Sequence, residues 1–473
     1  MKIEQIYTGC LAEAAYYIES EGEAVIIDPL REVEPYLERA KADNATIKYV
    51  LETHFHADFV SGHLDLARKT GATIVYGPTA DPNYEIHVAA DNEILKVGKV
   101  GKVEIVVLHT PGHTMESSSF LLRDENGKDY ALFSGDTLFL GDVGRPDLAI
   151  KHGEITREDL AGFLFDSLRN KIMTLADDVI VYPGHGAGSA CGKKMCKSTV
   201  GTIGDQKVTN YALRADMTRE EFIKEVTTGL VEPPQYFPKN AGMNKFGYDS
   251  LDTIRERGLQ TLSVRAFKAA WAEEEALVLD TRNRTEFAAG HIPSSIFIGL
   301  DGSFAMWVGA LITDLKTPIL FIADAGKEKE VVDRLARVGY DFPIGFLEGG
   351  FETWKTAGED VETVEEITAE ALAEQFDGEN LNVLDTRKES EYSAQHIVGV
   401  TNFPLDFINR NMAQLNSDTK YYIHCAGGYR SLIAVSILKS RGVLDVVNVL
   451  GGFKALVTTD LALTQFKEQV TEL

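Results

Sequence analysis

Five polar clusters in the first half of the chain carry residue types that hold metal ions: His54-Phe-His56-Ala-Asp58, His63, His113, Asp136 and His185. Each follows an apolar run, and four of them lie in turn-like contexts, Thr53-His-Phe-His56, Thr110-Pro-Gly-His-Thr114, Ser134-Gly-Asp-Thr137 and Tyr182-Pro-Gly-His-Gly186. Glycine in such turns lets the backbone come close while an imidazole or carboxylate points into a shared cavity. Imidazole nitrogen with carboxylate oxygen suits zinc, iron or manganese. With no thiolate in the cluster, a catalytic metal fits better than a structural zinc. One such histidine alone is an ordinary turn residue, but four of the chain's 11 histidines in this order and context point to a site. His63 opens an apparent helix, Leu64 to Lys69, and is read as a capping or packing residue.

A second chemistry belongs to Cys425-Ala-Gly-Gly-Tyr-Arg430-Ser431, which follows the strand-like Lys420-Tyr-Tyr-Ile-His424 and opens a helix. This is a thiol at a helix N-terminus. Backbone N–H groups of Ala426, Gly427, Gly428 and Tyr429, the helix dipole and Arg430 can together stabilise a thiolate or a bound persulfide anion. Cys425 is therefore expected to be a nucleophile with Arg430 as its catalytic partner, and the four loop residues to bind substrate. A cysteine phosphatase uses the same cradle with five residues between Cys and Arg. Four stand here, and the shorter ring fits sulfur better than phosphate. Cys191 and Cys196, with Lys193 and Lys194 between them, are open to two readings, an inert thiol or a substrate-facing one.

These groups sit at the ends of strand-like runs, where α/β sheets place their ligands. In the first half the runs are Glu23 to Asp28, Ile47 to Leu51, Thr73 to Tyr76, Val103 to Leu108 and Tyr130 to Phe133. Gly186 to Asp252 has few strand signals and the Pro-rich Glu232-Pro-Pro-Gln-Tyr-Phe-Pro238, and is expected to be an irregular covering segment. The second half holds one pattern twice. Leu277-Val-Leu-Asp-Thr-Arg282 recurs as Asn382-Val-Leu-Asp-Thr-Arg387, and the same 105-residue offset separates Asp280 from Asp385 and His291 from His396. Apolar runs alternate with helical stretches (Glu328 to Val338, Ser431 to Arg441), which predicts two small α/β domains with parallel sheets. The acidic segment Ala357 to Ile367 reads as a strandless linker between them. In the first copy Ile322-Ala-Asp-Ala-Gly-Lys327 replaces the Cys425 loop, with Asp324 near the position of the thiol.

At about 150 residues per domain, 473 residues suggest roughly three domains. With 47 basic and 72 acidic side chains the net charge is −25, which repels phosphate backbones and anionic headgroups. Neither nucleic acid nor a membrane is an expected partner. Four cysteines are too few for a disulfide framework, no export signal is visible, and no run nears the roughly 18 apolar residues of a membrane span. A cytoplasmic protein is expected.

The first half resembles the metallo-β-lactamase superfamily, whose defining run has His, His, Asp and a further His directly after that Asp. Here that last position is Phe59, so one metal rather than two is expected. Within the superfamily the chain is most similar to persulfide dioxygenases, which hold Fe(II) with two histidines and one aspartate. That resemblance implies one Fe(II) per chain on His54, His113 and Asp136, with His56, Asp58 and His185 around it as orienting or pocket-lining groups. In Phe139-Leu-Gly-Asp-Val-Gly-Arg-Pro-Asp147, also similar to this branch, Arg145 can bind a substrate carboxylate or pair with Asp142 or Asp147. The repeated halves resemble rhodanese sulfurtransferase domains, with Asp-x-Arg and His-Ile elements expected to be structural.

The resemblance implies an αββα sandwich over residues 1–255, a rhodanese-like domain without its cysteine over 256–360, and an active rhodanese domain over 361–473. It implies oxidation of a glutathione- or coenzyme A-type persulfide by O2 to sulfite, with thiosulfate formed or used at Cys425, in a possible homo-oligomer. Two other readings stand beside it. One is a zinc-dependent thioester or lactone hydrolase of glyoxalase II type with an accessory sulfurtransferase; the other is a non-catalytic persulfide sensor.

Overall fold

Alternation along the strand Glu13–Ser20 sends Tyr16 and Ile18 into one apolar core and Ala15 and Tyr17 into another. A strand buried on both faces belongs inside a layered fold. The computed structural model describes residues 1–150 and 154–467; the final residues 468–473 of the third expected domain lie outside the described residues. Two six-stranded sheets form the first half. One runs in the order Lys2–Thr8, Glu13–Ser20, Glu23–Ile27, Thr46–Leu51, Thr73–Tyr76, His87–Val88. The other runs Gly201–Thr202, Ile180–Pro183, Asp129–Gly135, Ser118–Arg123, Val103–His109, Ile94–Val97.

The sheets face each other across Tyr16, Ile18, Val25, Leu51, Ile105, Val107, Phe120 and Phe133. The outer face of the first sheet packs on Tyr36 and Leu66, from the helices Glu34–Ala42 and His63–Thr70. The outer face of the second packs on Ala161 and Leu164 of the helix Arg157–Ser167. This is the expected αββα sandwich, and the expected strands lie within a residue or two of those observed.

The segment after Gly186 differs from expectation. Between stretches of irregular chain it carries the helices Ile203–Thr209, Arg219–Thr227 and Phe237–Phe246, and it ends at the start of Leu251–Gly258. Thr218 and Glu221 form a reciprocal capping box, and Pro238 sits in the first turn of its helix, where the missing N–H costs nothing. Buried Ile203, Phe222 and Val226 join the second sheet's outer core.

Contacts divide the chain into a first unit built on Met1–Leu251 and a second built mainly on Asp252–Leu335 and the described residues from Tyr340 to 467. The second unit contains two five-stranded sheets of the same order. They run Thr261–Leu262, Pro343–Leu347, Ile319–Ile322, Leu277–Asp280, Ile296–Phe297, and Glu365–Ile367, Val446–Val449, Tyr421–His424, Asn382–Asp385, Thr401–Asn402. All their pairings are parallel. Asp280 and Asp385 each receive two nitrogens of Arg282 and Arg387, whose guanidinium groups also reach the Gly290 and Gln395 carbonyls at 2.9 Å. The repeated Asp-x-Arg thus ties loops together. The expected strandless linker ends in a strand, Glu365–Ile367, because an edge position lets its glutamates face solvent while the backbone pairs with Val446–Val449.

Candidate active sites

Asp28, His54, His113, Asp136 and His185 each follow the end of a strand, so the topology gathers them at one edge of the sandwich. Among the described residues, three groups of side chains can hold a metal ion: His54, His113 and Asp136; Asp58, His185 and Cys191; and Asp28, Glu52 and His56. Within each, ligand atoms lie within 4.8 Å of one another, and all nine residues are buried.

The first group is arranged for ligation. His113 Nδ1–H donates to the Arg145 carbonyl at 2.9 Å, which leaves Nε2 with its lone pair 3.5 Å from Asp136 Oδ2. His54 Nδ1 donates to Thr53 Oγ1 at 3.0 Å, and that hydroxyl donates to Asp28 at 2.8 Å, so His54 too is oriented through its Nδ1. Burial first, then the neighbouring His56, His113 and His185, push the His54 imidazole well below its ordinary range and keep it neutral. Both Asp136 carboxylate oxygens are buried without a hydrogen-bond partner among the described residues. Such orphaned oxygens are costly unless a cation satisfies them, so the residues present fit a metal. Gly144 makes the packing possible: a Cβ there would collide with the Asp136 carbonyl oxygen and lie 2.9 Å from His113 Nδ1.

The three surrounding residues fall into the other two groups. His185 Nε2 lies 3.4 Å from Asp58 Oδ2 and 3.6 Å from Asp136 Oδ1. His56 Nε2 is aimed at Asp28, 3.0 Å away, and at Glu52, 3.5 Å away. Burial alone would lower the His56 imidazole, but the charge and hydrogen bond of Asp28 and the charge of Glu52 override it and raise it to about 10. Phe59 stacks on His56 with ring centroids 4.3 Å apart and is fully buried.

In the second unit the Gly428 N–H donates to Cys425 Sγ at 3.1 Å, and the helix Tyr429–Ser440 starts directly behind it. Gly428 has φ +97°, a left-handed conformation that turns this amide onto the sulfur and that a Cβ would disfavour. Arg430 forms a two-point pair with Glu391 at 2.5 and 2.8 Å. The Tyr429 hydroxyl donates to the Gly299 carbonyl, a tie to the preceding domain rather than an open donor. In the first copy the matched strand Ile319–Ile322 puts Ala323 at the position of Cys425, with Asp324 next to it; neither carries sulfur.

Residues 8–185 match the metallo-beta-lactamase superfamily, and residues 263–357 and 368–459 match the rhodanese-like domain. A solved metallo-beta-lactamase of Staphylococcus aureus subsp. aureus COL is 32% identical and superimposes with a TM-score of 0.63, covering 73% of this chain and 98% of that one. The chain belongs to the metallo-beta-lactamase superfamily. It adds two C-terminal rhodanese-like domains. Its relatives include the mitochondrial persulfide dioxygenase ETHE1 of Homo sapiens, 28% identical over 215 residues, 45% of this chain and 74% of that protein. They also include a probable hydroxyacylglutathione hydrolase of Schizosaccharomyces pombe, 32% identical over 185 residues, 38% of this chain. The chain spans 66% of that hydrolase's length.

Two sequence expectations in the superfamily domain need correction. Arg145 is no open substrate clamp: it is buried, pairs with Asp147 at 2.7 and 2.9 Å, and donates to the carbonyls of Ala190 and Val231. Asp142, its other possible partner, instead accepts from the Val143, Lys193 and Lys194 amides and the Tyr211 hydroxyl. Nor is the cluster free of sulfur, since Cys191 stands beside Asp58 and His185. Burial, reinforced by Asp58 and Asp136, pushes its thiol well above the ordinary range, so the nearby lysines do not make it a thiolate. His63 packs fully buried against Tyr84 and Tyr248, as a packing residue should. The sequence reading missed Asp28 and Glu52; an acid directly after the apolar run Ala24-Val-Ile-Ile27 was the available signal for Asp28.

Among the described residues no helix is long and apolar enough to cross a membrane.

Proposed function

We propose that the chain oxidises a low-molecular-weight thiol persulfide, of glutathione or coenzyme A type, to sulfite, and that Cys425 then moves sulfane sulfur. One persulfide, one dioxygen and one water give one thiol, one sulfite and two protons. His54, His113 and Asp136 would hold one Fe(II) per chain, which would supply the redox chemistry that joins dioxygen to the substrate sulfur. The chain's own residues do the rest of the positioning. Thr53 and Asp28 hold the His54 ring, the Arg145 carbonyl holds the His113 ring, and burial of all three ligands keeps bulk water away. His56, Asp58 and His185 shape the surrounding pocket.

At Cys425, the sulfur anion attacks the outer sulfur of a second persulfide; the S–S bond breaks and the thiol leaves. The cysteine persulfide then gives that sulfur to sulfite, forming thiosulfate and regenerating the thiolate. Run in reverse, the site uses thiosulfate. Residues 1–255 would carry the oxidation, 361–473 the transfer, and 256–360 a supporting role.

The observation that carries this reading is the convergence of two imidazoles and one carboxylate, with Phe59 standing where the superfamily's defining run ends in a histidine. The persulfide dioxygenase and rhodanese relatives support small sulfur compounds as substrates. Anaerobically purified protein given glutathione persulfide should consume oxygen and release sulfite and thiosulfate; iron-loaded protein that takes up no oxygen would refute it.

A second reading, a zinc-dependent thioester hydrolase, is favoured by the hydroxyacylglutathione hydrolase relative and by the Asp58, His185 and Cys191 group beside the first. Stoichiometric zinc with thioesterase turnover would select it.

A further inference from the structure

The thiol-less middle domain touches the loop that holds Cys425. Arg284, in the helix Arg284–Ala289 that follows the first Asp-x-Arg element, donates from Nη1 to the Gly427 carbonyl at 2.7 Å. That carbonyl and the Gly428 N–H are the two ends of one planar peptide unit. The N–H end donates to Cys425 Sγ at 3.1 Å. A guanidinium is thus connected through a single peptide to the sulfur: Nη1–H to the carbonyl oxygen on one side, N–H to Sγ on the other. A cation on the carbonyl polarises the peptide and makes its N–H a stronger donor, since hydrogen bonds in series reinforce one another.

The contact is supported on both flanks. The Tyr429 ring lies edge-on to Phe297 at 5.8 Å, and its hydroxyl reaches the Gly299 carbonyl at 2.9 Å. Gly302 leaves room for that ring, since a Cβ there would collide with it. Arg430, the loop's own cation, is engaged by Glu391 at two points, whereas Arg284 meets the loop as an exposed guanidinium. A sulfur that must be held as an anion before and after it carries persulfide gains from a positive charge that, among the described residues, is paired with no carboxylate.

We propose that Arg284 of the middle domain is a positioning residue of the Cys425 site, acting through the Gly427–Gly428 peptide to strengthen the hydrogen bond on the sulfur anion. The inference rests on the reading of Cys425 as the sulfur-transfer nucleophile. The domain that lacks a thiol thereby has a chemical role of its own, completing its neighbour's anion cradle.

The test uses the full chain with Arg284→Gln and Arg284→Lys. Two quantities are followed at one fixed pH: the second-order rate of Cys425 alkylation by iodoacetamide, read on the Cys425 peptide by mass spectrometry, and kcat/KM for transfer from thiosulfate to cyanide. Losing one hydrogen bond of ordinary strength predicts about a fivefold fall in both for the Gln variant, with Lys, which keeps charge and a donor, within about twofold of the parent. A merely structural tie would lower the melting temperature and leave the alkylation rate of the folded protein unchanged, and that result overturns the proposal. Transfer that occurs in the parent without any response of alkylation to Arg284 also refutes the relay alone. Alkylation that responds in a parent transferring no sulfur refutes the transfer reading and leaves the relay standing.

Discussion

His113→Ala is expected to lower persulfide-dependent oxygen uptake by at least about a hundredfold, the upper end of what losing a mere supporting residue costs at a metal site. The imidazole is held by one hydrogen bond, Nδ1–H to the Arg145 carbonyl, so that Nε2 faces Asp136. Alanine removes both the lone pair and the packing that aims it. Neutral His54 and one carboxylate would remain, too few donors to keep a divalent ion against water. Sulfur transfer from thiosulfate should persist, because Cys425 lies in the other unit. An oxygen electrode with glutathione persulfide, run beside a thiosulfate–cyanide assay on the same preparation, separates the two. Loss of both activities together would point to misfolding, and unchanged oxygen uptake would remove His113 from the site.

Cys425→Ser is expected to have the complementary effect. Sulfur transfer should fall by roughly a thousandfold or more, as when a covalent nucleophile is removed, while oxygen uptake stays intact. Serine fits the loop, and the Gly428 N–H can still donate to it, yet a hydroxyl neither ionises readily nor carries a sulfane sulfur. Products should shift from thiosulfate to sulfite, which ion chromatography of the reaction mixture reads directly. Thiosulfate formed enzymatically at the parent rate by the serine variant would mean that sulfur transfer runs elsewhere in the chain.

The sheet-rich first half and the repeated domain were legible because they rest on local signals, apolar runs such as Ala24-Val-Ile-Ile27 and a repeated Val-Leu-Asp-Thr-Arg run, while the αββα layering came from the resemblance carried by the histidine motifs. That His54, His113, Asp136 and His185 gather was legible for a related reason, since each follows a strand end and a shared sheet edge brings strand ends together, while the choice of His54, His113 and Asp136 among them came from the resemblance. What went unread depends on partners distant in sequence. Glu52 and His56 are close in the chain, but their relation to Asp28 exists only once the strands Glu23–Ile27 and Thr46–Leu51 pair in parallel. Cys191 reaches Asp58 across 133 residues, and nothing in its local sequence signals that closeness. Arg145 was half read: the sequence offered Asp147 as one of its partners, and the pair and its burial decide for that reading over a substrate clamp. The helices after Gly186 went unread although the Thr218 and Glu221 capping box was in plain view, because Pro and Gly nearby suggested irregular chain.

Elemental analysis of protein purified without oxygen, paired with its activity, is the most direct test of the metal centre. The expected result is one iron per chain, with oxygen uptake that scales with iron content. Two zinc ions per chain, with thioester hydrolysis and no oxygen uptake, would contradict it.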